Sequence, residues 1–87
     1  MEMVYPRAGS KIYIPKELSG NRGKLVMEAV HRNGAATIFW HLDENYLGAT
    51  KQFHQMAVDI PAGEHRLSII DDKGEALSLE FEIIEKE

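Results

Sequence analysis

At 87 residues the chain has room for one domain and not for two. It has no cysteine, which removes thiol catalysis, zinc-thiolate sites and disulfide stapling together. The net charge of −4, with Glu80, Glu82, Glu85 and Glu87 gathered near the end, argues against nucleic acid as a main partner, because phosphate binding needs a basic footprint.

A hydrophobic fraction of 44% is that of an ordinary globular protein. No apolar run approaches ~18 residues, so no membrane insertion by this domain is expected. The opening Met1-Glu2-Met3-Val4 lacks the basic-then-apolar order of a signal peptide. That predicts either a cytoplasmic protein or a piece of a longer exported chain.

The dominant period is two, which predicts strands. The first is Lys11-Ile12-Tyr13-Ile14, with Ile12 and Ile14 inward and Pro15 marking an edge or an end. Leu18 to Gly23 reads as a loop, its two glycines supplying permissive angles. A second strand covers about Lys24–Arg32, with Leu25, Met27 and Ala29 on one face, and Asn33-Gly34 turns the chain after it.

A third strand, Thr37–Leu42, is rich in β-branched and aromatic residues and shares Ile38, Trp40 and Leu42 on one face. Asp43-Glu44-Asn45 is a polar turn, and Tyr46-Leu47-Gly48 returns as a short partner strand. The next strand covers about Phe53–Ile60, with His54, Met56, Val58 and Ile60 on one face. After Pro61-Ala62-Gly63 come His65–Ile70, the turn Asp72-Lys73-Gly74, and a last strand over Leu77–Ile84. Six or seven short antiparallel strands with turns every ~8–12 residues predict an all-β, immunoglobulin-like β-sandwich with Trp40 in its core.

The four histidines, His31, His41, His54 and His65, invite a metal reading, but no two stand at a ligand-pair spacing on one strand or helix. The plainer expectation is strand and turn histidines, each bonded through one ring nitrogen. No serine sits in a Gly-x-Ser-x-Gly turn, so hydrolase chemistry finds no nucleophile. The carboxylate pairs Asp43-Glu44 and Asp71-Asp72 read as solvated turn residues, and no phosphate-cradling glycine loop opens a helix. An aromatic and polar set, His31, Arg32, His41, Tyr46 and His54, is the candidate recognition patch for a glycan or a protein. No catalytic residue, metal ligand or cofactor is expected.

Several strings together resemble a known family. They are Val30-His31-Arg32, Thr37-Ile38-Phe39-Trp40-His41-Leu42-Asp43, Tyr46-Leu47-Gly48-Ala49-Thr50, Phe53-His54-Gln55, Pro61–Leu67 and Asp71-Asp72-Lys73-Gly74, with Ile12–Leu18 before them. The family is the C-terminal domain of bifunctional (class A, 1C-type) penicillin-binding proteins, and the likeness covers about residues 5–84. The resemblance implies a non-catalytic accessory domain at the end of a periplasmic peptidoglycan glycosyltransferase/transpeptidase anchored in the inner membrane. Its partner would be another protein or peptidoglycan, or the domain would position the enzyme. The resemblance also implies that the parent's catalytic residues lie upstream, so none is carried over to a position of this sequence. The alternative from another class is an independent small metal- or ligand-binding protein using surface histidines.

Overall fold

A computed structural model describes residues 1–15 and 23–84. These form eight strands: β1 (Glu2–Tyr5), β2 (Lys11–Tyr13), β3 (Leu25–Val30), β4 (Thr37–Leu42), β5 (Asn45–Lys51), β6 (Gln55–Val58), β7 (Gly63–Asp71) and β8 (Ala76–Ile84). They make a three-stranded sheet, β1-β3-β6, and a five-stranded sheet, β2-β8-β7-β4-β5. The two sheets pack as a sandwich around one hydrophobic cluster.

Alternation decides which side chains fill that cluster. Leu25, Met27 and Ala29 face in from β3, and Ile38, Trp40 and Leu42 from β4. Leu67 and Ile69 of β7 meet them with Phe81 and Ile83 of β8, and Ile12 joins from β2. The inward faces expected from the period of two are the buried ones. Trp40 is fully buried and is the largest side chain in the core.

The edges of the two sheets are continuous. β1 and β2 lie at one edge of the three- and five-stranded sheets and follow each other in the chain. β6 and β5 do the same through Gln52-Phe53-His54, a corner tight enough to hold Gln52 at φ 66°. β3 also leaves one sheet to enter the other as β4, and β6 does so to enter as β7. Hairpins join β4 to β5 and β7 to β8, while β2 runs parallel to β8.

Several expectations are corrected. Among the described residues there are eight strands, where about six to seven were expected. The added one is β1, where Met3 alone is half-buried and the other three residues are exposed, so its alternation is faint. β5 runs to Lys51, beyond the Gly48 expected as its end, because a bulge between Trp40 and His41 accommodates Gly48 at φ 142°. β6 is shorter than expected, since His54 and Ile60 lie in the flanking corners. Of the loop expected over Leu18 to Gly23, residues 18–22 lie outside the described residues, and Gly23 is not among the positive-φ glycines.

Candidate functional site

The five candidate binding residues occupy three places. His41 of β4 and Tyr46 of β5 are opposite each other on the outer face of the five-stranded sheet. Their rings touch, with centroids 5.3 Å apart and planes tilted by 54°. Register extends this pair into a row, because His41 faces Ser68 of β7 and Ser68 faces Ser78 of β8. The two serine hydroxyls are 3.0 Å apart. Tyr46 is exposed, and His41 Nδ1 is buried with no hydrogen-bond partner among the described residues.

His31 and Arg32 follow β3 at the corner leading to β4. Arg32 is exposed, but His31 turns inward. The Asn33 amide donates to His31 Nδ1 at 3.0 Å. That bond occupies the Nδ1 lone pair, so the neutral ring carries its proton on Nε2 and donates it to Asp71 Oδ2 at 2.9 Å. Asp71 Oδ1 accepts the amides of Lys73 and Glu75 at 2.9 and 2.8 Å, closing the β7–β8 turn.

This corrects the reading of Asp71 as a solvated turn residue. It continues the inward positions Leu67 and Ile69, so its carboxylate is buried at 5% exposure and needs donors. The His31 hydrogen bond, followed by the two turn amides, holds its carboxyl below the usual value against the opposing effect of burial.

A Glu75 oxygen completes a group with His31 and Asp71 whose ligand atoms lie within 4.8 Å of one another, a spacing a cation can bridge. Ligation through His31 Nε2 would remove its proton and oblige Nδ1 to take one, breaking the Asn33 bond. The arrangement fits a hydrogen-bonded latch between β3 and β7 better than a metal centre.

His54 sits at the β5–β6 corner and is 5% exposed, so it is not the surface residue the sequence suggested. It continues the inward-facing set of Met56 and Val58. Its Nδ1 shares a 2.8 Å hydrogen bond with Thr50 Oγ1, which also accepts the Trp40 indole N–H at 2.9 Å. Its carbonyl accepts the Ala29 amide. Burial, and then the nearby charge of His31, push the His54 ring below its ordinary pKa.

His65 was not singled out for binding, yet it anchors a cleft of about 440 Å³ beside the ends of β7 and β8. Asp43 takes the first position of the β4–β5 turn at φ 58°. Its amide donates to the Arg66 carbonyl at 2.7 Å, and its Oδ1 accepts the Arg66 amide at 2.9 Å. Asp43 thereby extends the β4–β7 ladder past the point where β4 turns away. The Arg66 amide, then the His65 ring, hold its carboxyl below the usual value.

Glycine-free turn acids such as Asp43 carry a weak sequence signal. An aspartate tolerates the left-handed region and bonds nearby amides, and that turn chemistry was the cue to its role.

No curated protein and no solved structure matches the chain. A family model described as the Penicillin-Binding Protein C-terminus Family matches residues 1–81. With nearly the whole sandwich inside that match, from β1 into β8, the chain belongs to the penicillin-binding protein C-terminus family.

Proposed function

We propose that this chain is a non-catalytic accessory domain of a bifunctional, 1C-type penicillin-binding protein, held in the periplasm by its membrane-anchored parent. It would position that peptidoglycan synthase or bind a glycan or protein partner for it. Family membership over residues 1–81 is the observation that carries this reading. The hydrogen bonding supports its non-catalytic part. The His31, His54 and His65 rings and the carboxylates of Asp43 and Asp71 are engaged in bonds that tie strands and corners together. Among the described residues no helix is long and apolar enough to cross a membrane, so anchoring would fall to another part of the parent.

We read the sandwich as immunoglobulin-like. The supporting features are the N-terminal segment shared between the two sheets, the Greek-key-like sheet changes and the buried Trp40 on β4. The binding surface we assign is the row Tyr46, His41, Ser68 and Ser78. It offers an exposed aromatic ring backed by the His41 imidazole and two hydroxyls, a set suited to a polyhydroxylated ligand.

Titration of the ¹⁵N-labelled domain with soluble peptidoglycan fragments tests the glycan version. Shifts at these four residues, reduced by Tyr46→Ala, are the expected result. No shift at saturating fragment leaves a protein partner or a positioning role. Deleting the domain from the parent enzyme, with activity and localisation unchanged, would sink both of those.

A further inference from the structure

Both nitrogens of the His65 ring face acceptors. Nδ1 is 2.9 Å from Asp43 Oδ2, and Nε2 is 2.8 Å from the Pro61 carbonyl oxygen. A carbonyl cannot donate a hydrogen bond, nor can an ionised carboxylate. The neutral imidazole has one N–H and meets one of these acceptors, whereas the imidazolium has two and meets both. Asp43 does not supply the missing proton as a carboxylic acid, because the Arg66 amide bonded to its other oxygen favours the ionised form.

We propose that His65 is a proton-operated clamp. With the ring charged, it ties the β4–β5 turn and the β6–β7 loop to the start of β7. With the ring neutral, one tie is released. The bond to Asp43 is charge-assisted and is the one retained. The bond to Pro61 is lost, and the β6–β7 loop, which carries the chain from the three-stranded to the five-stranded sheet, is freed.

The surroundings make the clamp specific. The His65 side chain is only 8% exposed and lies against the Phe81 ring, with centroids 5.9 Å apart. The ring is thus largely covered, while Asp43 is 45% exposed. The charged groups on the neighbouring elements are Asp43 from the β4–β5 turn, Glu64 and Arg66 beside His65 on β7, Glu80 and Glu82 on β8, and Lys11 on β2. Asp59 stands two residues before Pro61 in the loop itself. All but Asp59 line the same cleft, so the clamp sits beside a charged groove.

The test is an NMR pH titration of the 87-residue chain, with long-range ¹H–¹⁵N correlations reading each imidazole nitrogen. In the closed state both His65 nitrogens should resonate as protonated. The amides of Ile60, Ala62 and Gly63 should shift with the same midpoint as the ring. In His65→Gln those amide shifts should lose their pH dependence across that midpoint. A ring that keeps one protonated and one bare nitrogen at every pH where the chain stays folded would overturn the clamp. So would loop amides that titrate unchanged in His65→Gln. The first readout needs no variant, so it holds if the substitution unfolds the chain.

Discussion

Thr50→Val isolates the hydroxyl that joins Trp40 to His54. Valine keeps the branched shape and fills the same space. Trp40 is fully buried, and its indole N–H, 2.9 Å from Thr50 Oγ1, would lose its partner. A buried donor left unpaired costs about 1–3 kcal/mol, and losing the second bond, to His54, costs about 0.5–1.5 kcal/mol more. The added methyl group returns about 0.8 kcal/mol. The expected net loss is about 2 kcal/mol, out of the roughly 5–15 kcal/mol that holds a domain folded. For a domain of this size that lowers Tm by roughly 10 °C.

Urea unfolding followed by the fluorescence of Trp40, the single tryptophan, measures it directly. An unchanged urea slope is required for the shift in midpoint to be read as stability. Thr50→Ser is the control, since it keeps the hydroxyl and gives up one methyl. A loss below about 0.5 kcal/mol in Thr50→Val, or equal losses in the two variants, would refute the hydrogen-bond reasoning and leave packing as the cause.

Three further outcomes are expected. Gly48→Ala should lower stability by about 1–3 kcal/mol, because φ 142° strains any residue with a Cβ and that Cβ would meet Met56 Cε at 3.4 Å; Gly34→Ala, which meets open space, should be nearly silent in the same thermal melt. Asp71→Ala should lower Tm far more than Asp72→Ala, since Asp71 is buried with three hydrogen bonds and its neighbour is exposed; equal shifts would count against the latch. On acidification two losses should separate. The His54 ring is held below the ordinary histidine value of about 6.5, so its contribution is full above that pH and declines as pH falls toward the folded value. The contributions of Asp43 and Asp71 are full above about 3.9 and are lost as pH falls through their lowered folded values. The His54 ring proton should titrate below 6.5 by NMR, and a midpoint at or above that value would contradict the burial argument.

The sheets were legible in the sequence wherever one face is buried and the other wet. β8 shows this most plainly, because Phe81 and Ile83 alternate with Glu80 and Glu82, and in β4 the buried Ile38, Trp40 and Leu42 alternate with half-buried Thr37, Phe39 and His41. β1 was not, since a short edge strand contributes one half-buried residue and leaves no period to read. The assignment of strands to sheets was not legible either. It depends on which turns are hairpins and which are corners, and Asn33-Gly34 looks like a hairpin turn but starts a corner. Asn33 Oδ1 accepts the Ala35 amide and its carbonyl accepts the Ala36 amide, so the dipeptide opens a turn that leads into the other sheet. For the candidate site, the pairing of His41 with Tyr46 follows from the hairpin, but the fates of His31, His54 and His65 depend on contacts 40, 4 and 22 residues away in the chain.

Those three histidines share a setting that explains them. His31 follows β3 where the chain changes sheet, His54 precedes β6 where it changes back, and His65 receives the loop where it changes again. At each corner the ladder stops, and backbone groups and inward side chains need partners from outside it. An imidazole offers a donor and an acceptor on a flat, partly apolar ring, so it can bond across the break while packing against the core. His31 receives a backbone amide and reaches a carboxylate; His54 reaches the hydroxyl that satisfies Trp40; His65 spans a carboxylate and a carbonyl. A chain with no cysteine has no disulfide to join its sheets; the His31–Asp71 bond ties the end of β3 in one sheet to β7 in the other, while His54 and His65 brace the corners. His41 stands apart on the outer face with an unmet nitrogen beneath an exposed tyrosine. Replacing His41 should therefore disturb binding more than folding, and replacing His31 or His54 should do the reverse. A matched set of alanine variants, compared by urea midpoint and by fragment-induced shifts, separates the two roles. A His41→Ala variant as destabilised as His54→Ala would remove the distinction.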